Sequence, residues 1–213
     1  MVLSYATAAA SMGYLGKLAV ANIREQGLPS FVQRALITSL AVFSFFEVFP
    51  HYPVGVSEVH FILGSTLFLL FGAAAAGVGL VLGLATQSVF FAPQDLPQYG
   101  MNVTTLLVPL FGIEMLARRL IAPGTAYVEI SYRQALALST AFQAGIVGWV
   151  IFWVLYGSGF SVETFAGLAK FGGAYMSVIL AEPLVDLALL AAAKFAHGLS
   201  RTGFVVNRLY NRA

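Results

Sequence analysis

No cysteine occurs in the 213 residues, which excludes disulfides, thiolate metal sites, iron–sulfur clusters and covalent cysteine chemistry. Any metal held by this chain takes nitrogen or oxygen ligands. Charge is scarce too: 11 Lys+Arg against 9 Asp+Glu make up 9% of the residues and leave a formal net charge of +2. So small and scattered a balance lacks the basic stripe of a nucleic-acid binder, and no nucleic-acid partner is expected. No Gly-x-x-x-x-Gly-Lys-Ser/Thr string is present, so this chain has no phosphate-binding loop with which to hydrolyse ATP. What fills the space is apolar: 59% of the residues are hydrophobic and the mean hydropathy is +0.86. A water-exposed surface does not tolerate that composition, so the lipid bilayer is the first partner of this protein.

The apolar residues come in runs of helical length bounded by polar, proline or glycine breakers, which predicts an all-α, polytopic bundle. Seven runs are expected to span, near residues 1–22, 34–50, 58–71, 73–92, 101–118, 134–156 and 164–196, with residues 1–213 forming one integral-membrane domain. The third run is short and the fourth is rich in glycine (Gly77, Gly79, Gly83), which suggests a hairpin of closely packed helices around Gly72. Residues 1–22 fit a cleaved signal peptide poorly, because no basic segment precedes the apolar stretch and Lys17 falls where a small-residue cleavage site would follow. Val2 and Leu3 place the start inside an apolar helix, so a first helix truncated at its beginning is expected.

The basic residues orient this frame. Lys17, Arg24 and Arg34 flank the first connection, Arg118, Arg119 and Arg133 the fifth, and Lys194, Arg201, Arg208 and Arg212 follow the last run. Seven alternating crossings put all three groups on one side, and basic loops stay cytoplasmic. The amino terminus is then outside and the carboxyl terminus inside, in a multi-pass protein of the cell (inner) membrane. Lys170 is the exception, near enough to the outer end of the last run to snorkel. Trp149, Trp153 and Tyr156 sit where an outer aromatic belt belongs.

Of the three histidines, His51 falls in the first outer loop, His197 at the cytoplasmic edge, and His60 about one turn into the third run. A neutral imidazole is the commonest metal ligand, and His60 is placed for a site filled from outside; taken alone it reads more often as a packing or hydrogen-bonding residue. The strings around it add more. Pro53-Val54-Gly55-Val56-Ser57-Glu58-Val59-His60-Phe61-Ile62-Leu63-Gly64 opens the third run, and Gln87-Ser88-Val89-Phe90-Phe91-Ala92-Pro93-Gln94-Asp95-Leu96-Pro97-Gln98-Tyr99-Gly100-Met101-Asn102 links the fourth to the fifth. These resemble the substrate-binding membrane subunit of cobalt and nickel energy-coupling-factor transporters, the CbiM/NikM type. The likeness is good over 53–110 and rests elsewhere on run count and orientation. It implies that His60 is the interior metal-ligating histidine, and that Gly100 and Asn102 belong to the Gly-Ala-Asn loop. It also implies a Met-His start whose nitrogens complete a planar site, where this chain has Val2.

The acids were read on the same frame. Glu58, beside Ser57, lies near the entry and is a candidate for metal capture along with Ser57 and His51; Asn102 is a candidate to orient His60, as partners of metal-bound histidines do, or else a helix cap. Glu47 reads as interfacial, and Glu114 as a helix-surface partner of Arg118 four residues on. Asp186 lies about 12 Å above Lys194 and Lys17 about 10 Å above Arg24; the equal depths predict a Lys17–Asp186 pair across the first and last runs, since an unpaired charge there costs at least ~2.5 kcal/mol. Glu182 has no partner the sequence can name and reads as bonded to a Tyr or Ser of a neighbouring helix in preference to a role in the transport cycle.

The resemblance implies a substrate-capture subunit for Co(II) or Ni(II), no enzyme and without a tightly bound cofactor, driven by a separate coupling transmembrane subunit and ABC ATPases. Small-residue pairs, Ala6 with Ala10 and Gly79 with Gly83, offer faces for that subunit or for the chain's own helices. Two other readings stay open. One is a binding component for a small organic ligand or vitamin, with His60, Tyr99, Phe90 and Phe91 lining its pocket; the other is a structural membrane protein without substrate.

Overall fold

The computed structural model describes residues 2–199; Arg201, Arg208 and Arg212 lie outside them. Six helices dominate: α1 (Val2–Gln26), α2 (Leu28–Phe43, extended by a π turn, Ser44–Val48), α3 (Gly64–Phe90), α4 (Tyr99–Leu120), α5 (Tyr132–Ser158) and α6 (Val162–Leu199). Between α2 and α3 lies a hairpin of two short antiparallel strands, β1 (Tyr52–Val54) and β2 (Ser57–Val59). Short stretches of 3-10 helix, Pro93–Gln98 and Tyr127–Glu129, lead into α4 and α5.

Local chemistry explains several boundaries. Ser131 and Gln134 form a reciprocal box at the start of α5: the Ser131 hydroxyl accepts from the Gln134 amide at 3.2 Å, and the Gln134 carbonyl oxygen accepts from the Ser131 amide at 2.8 Å. The side chain of Gln134 then donates to the Leu120 carbonyl, tying the beginning of α5 to the end of α4. Glu114 and Arg118 on α4 form the expected ion pair at 2.7 Å. With the Arg118 side chain 70% exposed, such a pair contributes less than about 1 kcal/mol.

Contacts give the helix directions. Tyr5 donates to the Pro97 carbonyl and Tyr14 to Glu114, so α1 and α4 run parallel. Gly145 faces Pro109 while Trp153 donates to Thr104, so α5 runs against α4. Gln143 meets Glu182, and Ala135 clusters with Leu190, so α6 runs against α5.

The third apolar run departs from expectation. A helix over 58–71 was predicted, but Ser57–Val59 is a strand and helix begins only at Gly64. α3 is interrupted at Gly72, whose φ of 82° and ψ of 162° lie outside any helix; glycine adopts this positive φ without a Cβ clash. Before the break, residues 62–66 meet Glu182 and Asp186 in order, parallel to α6. After it, Gly79 and Gly83 meet Thr38 and Val42, parallel to α2. The chain therefore reverses at Gly72, as the hairpin reading anticipated. Arg34 staples the reversal from α2 by donating to the Phe71 carbonyl at 3.1 Å and to Asn22 at 2.8 Å. Five stretches are long and apolar enough to cross a membrane, Leu28–Val48, Gly64–Phe90, Pro93–Leu120, Tyr132–Ser158 and Val162–His197. The difference from seven arises because the third and fourth runs share α3 and because α1 carries Ser4, Ser11, Lys17 and Arg24.

Helices in lipid associate by close packing more than by the hydrophobic effect. Gly79 and Gly83 supply it: a Cβ at either would lie 2.3 Å from the Thr38 hydroxyl or 2.6 Å from the Val42 side chain. That glycine face is thus covered by the chain's own α2, while Ala6 and Ala10 on α1 remain exposed.

The predicted Lys17–Asp186 pair is not formed. α1 packs on α2, α3 and α4, and Lys17 is exposed on its surface. Asp186, 1% exposed, accepts instead from the hydroxyls of Ser65 and Thr66 at the beginning of α3. Equal depth did not imply equal azimuth: the two residues lie on helices that do not face each other. Asp186→Ala removes the acceptor of two buried hydroxyls, of which Ser65 keeps Ser139 as a partner, and is expected to cost about 1–3 kcal/mol, whereas Lys17→Ala should leave stability unchanged. Unfolding free energies in lipid nanodiscs check this, and a Lys17→Ala loss matching that of Asp186→Ala would contradict it.

Candidate functional site

At the end of the bundle where α3 finishes and α4 begins, a cavity of about 380 Å³ opens beneath the β-hairpin. Its walls come from several elements, α1 excepted. Ser57, Glu58 and His60 descend from the hairpin, Leu84 and Gln87 come from α3, Asp95 and Gln98 from the turn before α4, and Asn102, Thr105 and Leu106 from α4 itself. Ile146 and Val150 of α5 and Phe171 and Tyr175 of α6 close the far side.

The hairpin is held over this space by glycine. Gly55 has a φ of 64° and lies so close to α6 that a Cβ would come within 2.4 Å of the Gly167 carbonyl oxygen. A side chain there meets both backbone strain and backbone collision.

His60 hangs below the hairpin in an irregular stretch, half-buried, with its ring tilted against Phe46 at a centroid distance of 4.5 Å. Its Nδ1 lies 3.0 Å from the Phe61 carbonyl oxygen. A carbonyl only accepts, so Nδ1 carries the proton and Nε2 keeps its lone pair. That tautomer leaves Nε2 available as a ligand, with the other ring nitrogen fixed by a backbone oxygen in the manner usual for metal-bound histidine. Burial holds the imidazole pKa below its ordinary 6.5; the Phe61 hydrogen bond opposes this and the nearby His51 adds to it. For Glu58 burial works in the other direction and raises the carboxyl, His51 counteracts it, and Asp95 and Glu47 add to the rise.

The remaining expected residues divide. Ser57, Glu58 and Asn102 line the cavity with His60. His51 stays at its edge, bonded through Nδ1 to the Phe49 carbonyl at 3.1 Å. Gly100 lies outside, at the crossing of α1 and α4, where a Cβ would stand 3.2 Å from the Ser4 carbonyl oxygen; its role is close packing. Asn102 lies inside α4, past the capping position. Phe90 and Phe91 are exposed and Tyr99 donates to the Val81 carbonyl; the aromatic wall is made by Phe46, Phe171 and Tyr175 instead.

The sequence suggested a Tyr or Ser bond for Glu182 without naming the residue, and its partners are neither. The structure places its carboxylate, fully buried, against the backbone amides of Ile62 and Leu63, the latter at 3.0 Å, and against the Gln143 side chain. Gln143 in turn accepts from the Tyr175 hydroxyl at 2.9 Å. Leu63 has a φ of 51°, a left-handed conformation that costs a non-glycine residue about 1–2 kcal/mol. Glu182 thus closes the turn that delivers His60 into the cavity.

Chemically, the cavity offers one imidazole nitrogen and a set of oxygen donors from Glu58, Asp95, Gln98 and Asn102. Among the described residues no group of three His, Cys, Asp or Glu side chains forms a metal cluster.

No curated protein matches the sequence. A solved structure described as a truncated transition metal transporter shares the fold, with a TM-score of 0.64 and 16% identity over 92% of this chain and 93% of that one. At that identity the likeness is one of fold. The family model for the cobalt uptake substrate-specific transmembrane region, CbiM, matches residues 1–197, and this multi-pass membrane chain belongs to that family of transporter components.

Proposed function

We propose that the protein captures Co(II) or Ni(II) from the extracytoplasmic side of the cell membrane, as the substrate-binding subunit of an energy-coupling-factor importer. A coupling transmembrane subunit and ABC ATPases, on separate chains, supply the energy. The observation that carries this reading is the free Nε2 of His60, its tautomer set by the Phe61 carbonyl, inside a cavity of about 380 Å³. Late first-row ions prefer imidazole, whereas Mg(II) and Ca(II) require oxygen cages. The orientation with the amino terminus outside is supported by Arg24, Arg34, Arg118, Arg119, Arg133 and Lys194, which fall toward the end of the bundle opposite the cavity. The His60 end then faces outward.

Calorimetric titration of the protein in nanodiscs with Co(II), Ni(II), Mg(II) and Ca(II) tests it. Binding of the first two and none of the others is expected; equal binding of Mg(II) would refute an imidazole site. Because metal competes with protons for Nε2 and burial lowers the His60 pKa from 6.5, capture is expected to hold from pH 8 down to 6.5. It should fall only in more acidic solution, as the ring takes up its proton. Capture that is already half lost at pH 7.5 would contradict this sign.

An organic ligand is the second reading, favoured by a volume larger than a bare ion fills and by the Phe46, Phe171 and Tyr175 wall. Retention of a small molecule detected by mass spectrometry after purification, without any Co(II) binding, would decide for it.

A further inference from the structure

Among the described residues Glu182 forms no ion pair, and its carboxylate is held by three hydrogen-bond donors. Oε1 accepts the amides of both Ile62 and Leu63, and Oε2 accepts the Gln143 side chain. The two amides flank the left-handed turn at Leu63, where the chain leaves the irregular His60 stretch and enters α3. Buried amides without partners cost about 1–3 kcal/mol each, so the carboxylate both permits this turn and fixes it. Gln143 carries the connection to the Tyr175 hydroxyl, and Tyr175 forms the cavity wall facing the hairpin. One buried anion on α6 therefore holds two sides of the cavity in register.

We propose that Glu182 is a positioning residue: by hydrogen bonding to the Ile62 and Leu63 amides it sets the direction in which His60 presents Nε2 to the incoming cation. The functional meaning of this inference rests on the metal-capture reading, while the geometry it asserts can be tested without metal. A partner that orients a metal-ligating histidine typically contributes 10–100-fold to metal affinity.

The test uses the full chain in nanodiscs, labelled with 15N-histidine, as wild type, Glu182→Ala, Glu182→Gln and Gln143→Met. Ring 15N shifts at fixed pH report the tautomer and surroundings of His60, assigned by their loss in His60→Ala. A change that affects stability alone leaves them in place. Glu182→Ala should move the His60 ring signals away from the Nδ1-protonated pattern, and Glu182→Gln should restore them for the most part, because its carbonyl oxygen still accepts both amides. Where the wild type binds Co(II), Glu182→Ala should weaken it at least about tenfold.

Unmoved His60 signals in Glu182→Ala would overturn the proposal. Equal displacement by Glu182→Ala and Glu182→Gln would also overturn it, since charge at a distance would then be the cause. Should Glu182→Ala fail to fold, Gln143→Met decides: it frees the Oε2 side, so a smaller shift of the same signals supports the proposal and none rejects it. A wild type that binds no Co(II) while its ring signals follow Glu182 as described would sink the metal reading and leave the positioning role standing.

Discussion

His60→Ala is expected to lower Co(II) affinity by at least about 100-fold while the protein stays folded. Loss of a residue that merely orients a ligating histidine costs about 10–100-fold, and here the ligand nitrogen itself is removed. Little else depends on the ring. It is half-buried, touches Phe46, and bonds to a carbonyl of the adjacent residue. Its removal strands one acceptor near a cavity that admits water. His51→Ala is the matched control: it deletes an imidazole from the same end of the bundle, one bonded to Phe49 and outside the cavity wall. Equilibrium titration of both variants in nanodiscs reads the difference. Equal affinity of His60→Ala and wild type would remove the foundation of the functional reading.

Gly64→Ala is expected to destabilise the bundle strongly. An added Cβ would lie 2.1, 2.5 and 2.8 Å from three carbons of the Phe142 ring, and Phe142 is itself fully buried on α5. Overpacking of a dense interior costs about 1–3 kcal/mol, and contacts this short belong at the top of that range. The damage reaches function, because Gly64 follows the left-handed Leu63 and any retreat of α3 from α5 moves the turn that Glu182 holds. Phe142→Leu opens room on the opposite side, so the double variant should be more stable than the sum of the two losses, with a coupling of about 0.5–3 kcal/mol. Unfolding free energies of the four forms complete the cycle. Strict additivity would mean that the ring swings aside freely.

Much of the bundle was legible in the apolar runs because lipid imposes a long, continuous pattern on any helix that crosses it. The reversal at Gly72 was legible for the same reason, from a run too short beside one rich in glycine. The hairpin was not: Tyr52–Val54 and Ser57–Val59 pair through three residues each, too few to leave a period, and Pro53 with Gly55 reads as loop. His60 was found by residue type and by family likeness, whereas Glu182 was weighed and left without a partner. Its partners are backbone amides about 120 positions earlier in the chain, made available by one unusual dihedral that no side-chain pattern encodes. The Lys17–Asp186 pairing failed on a related point. Hydropathy gives depth along a helix axis and says nothing of which helices become neighbours.

The short limb of α3, Gly64 to the break at Gly72, has a consequence for how the protein is made. Eight residues rise only about 12 Å, less than half of a hydrocarbon layer about 30 Å thick, so this limb cannot partition into lipid as an independent unit. The two amides just before it and the hydroxyls of its first turn are satisfied by Glu182 and Asp186, which leave the ribosome more than a hundred residues later. Until α6 has been synthesised, this limb lacks the carboxyl groups that satisfy its first turn, and a polypeptide arrested before residue 182 carries every ring and amide of the cavity without the group that assembles them.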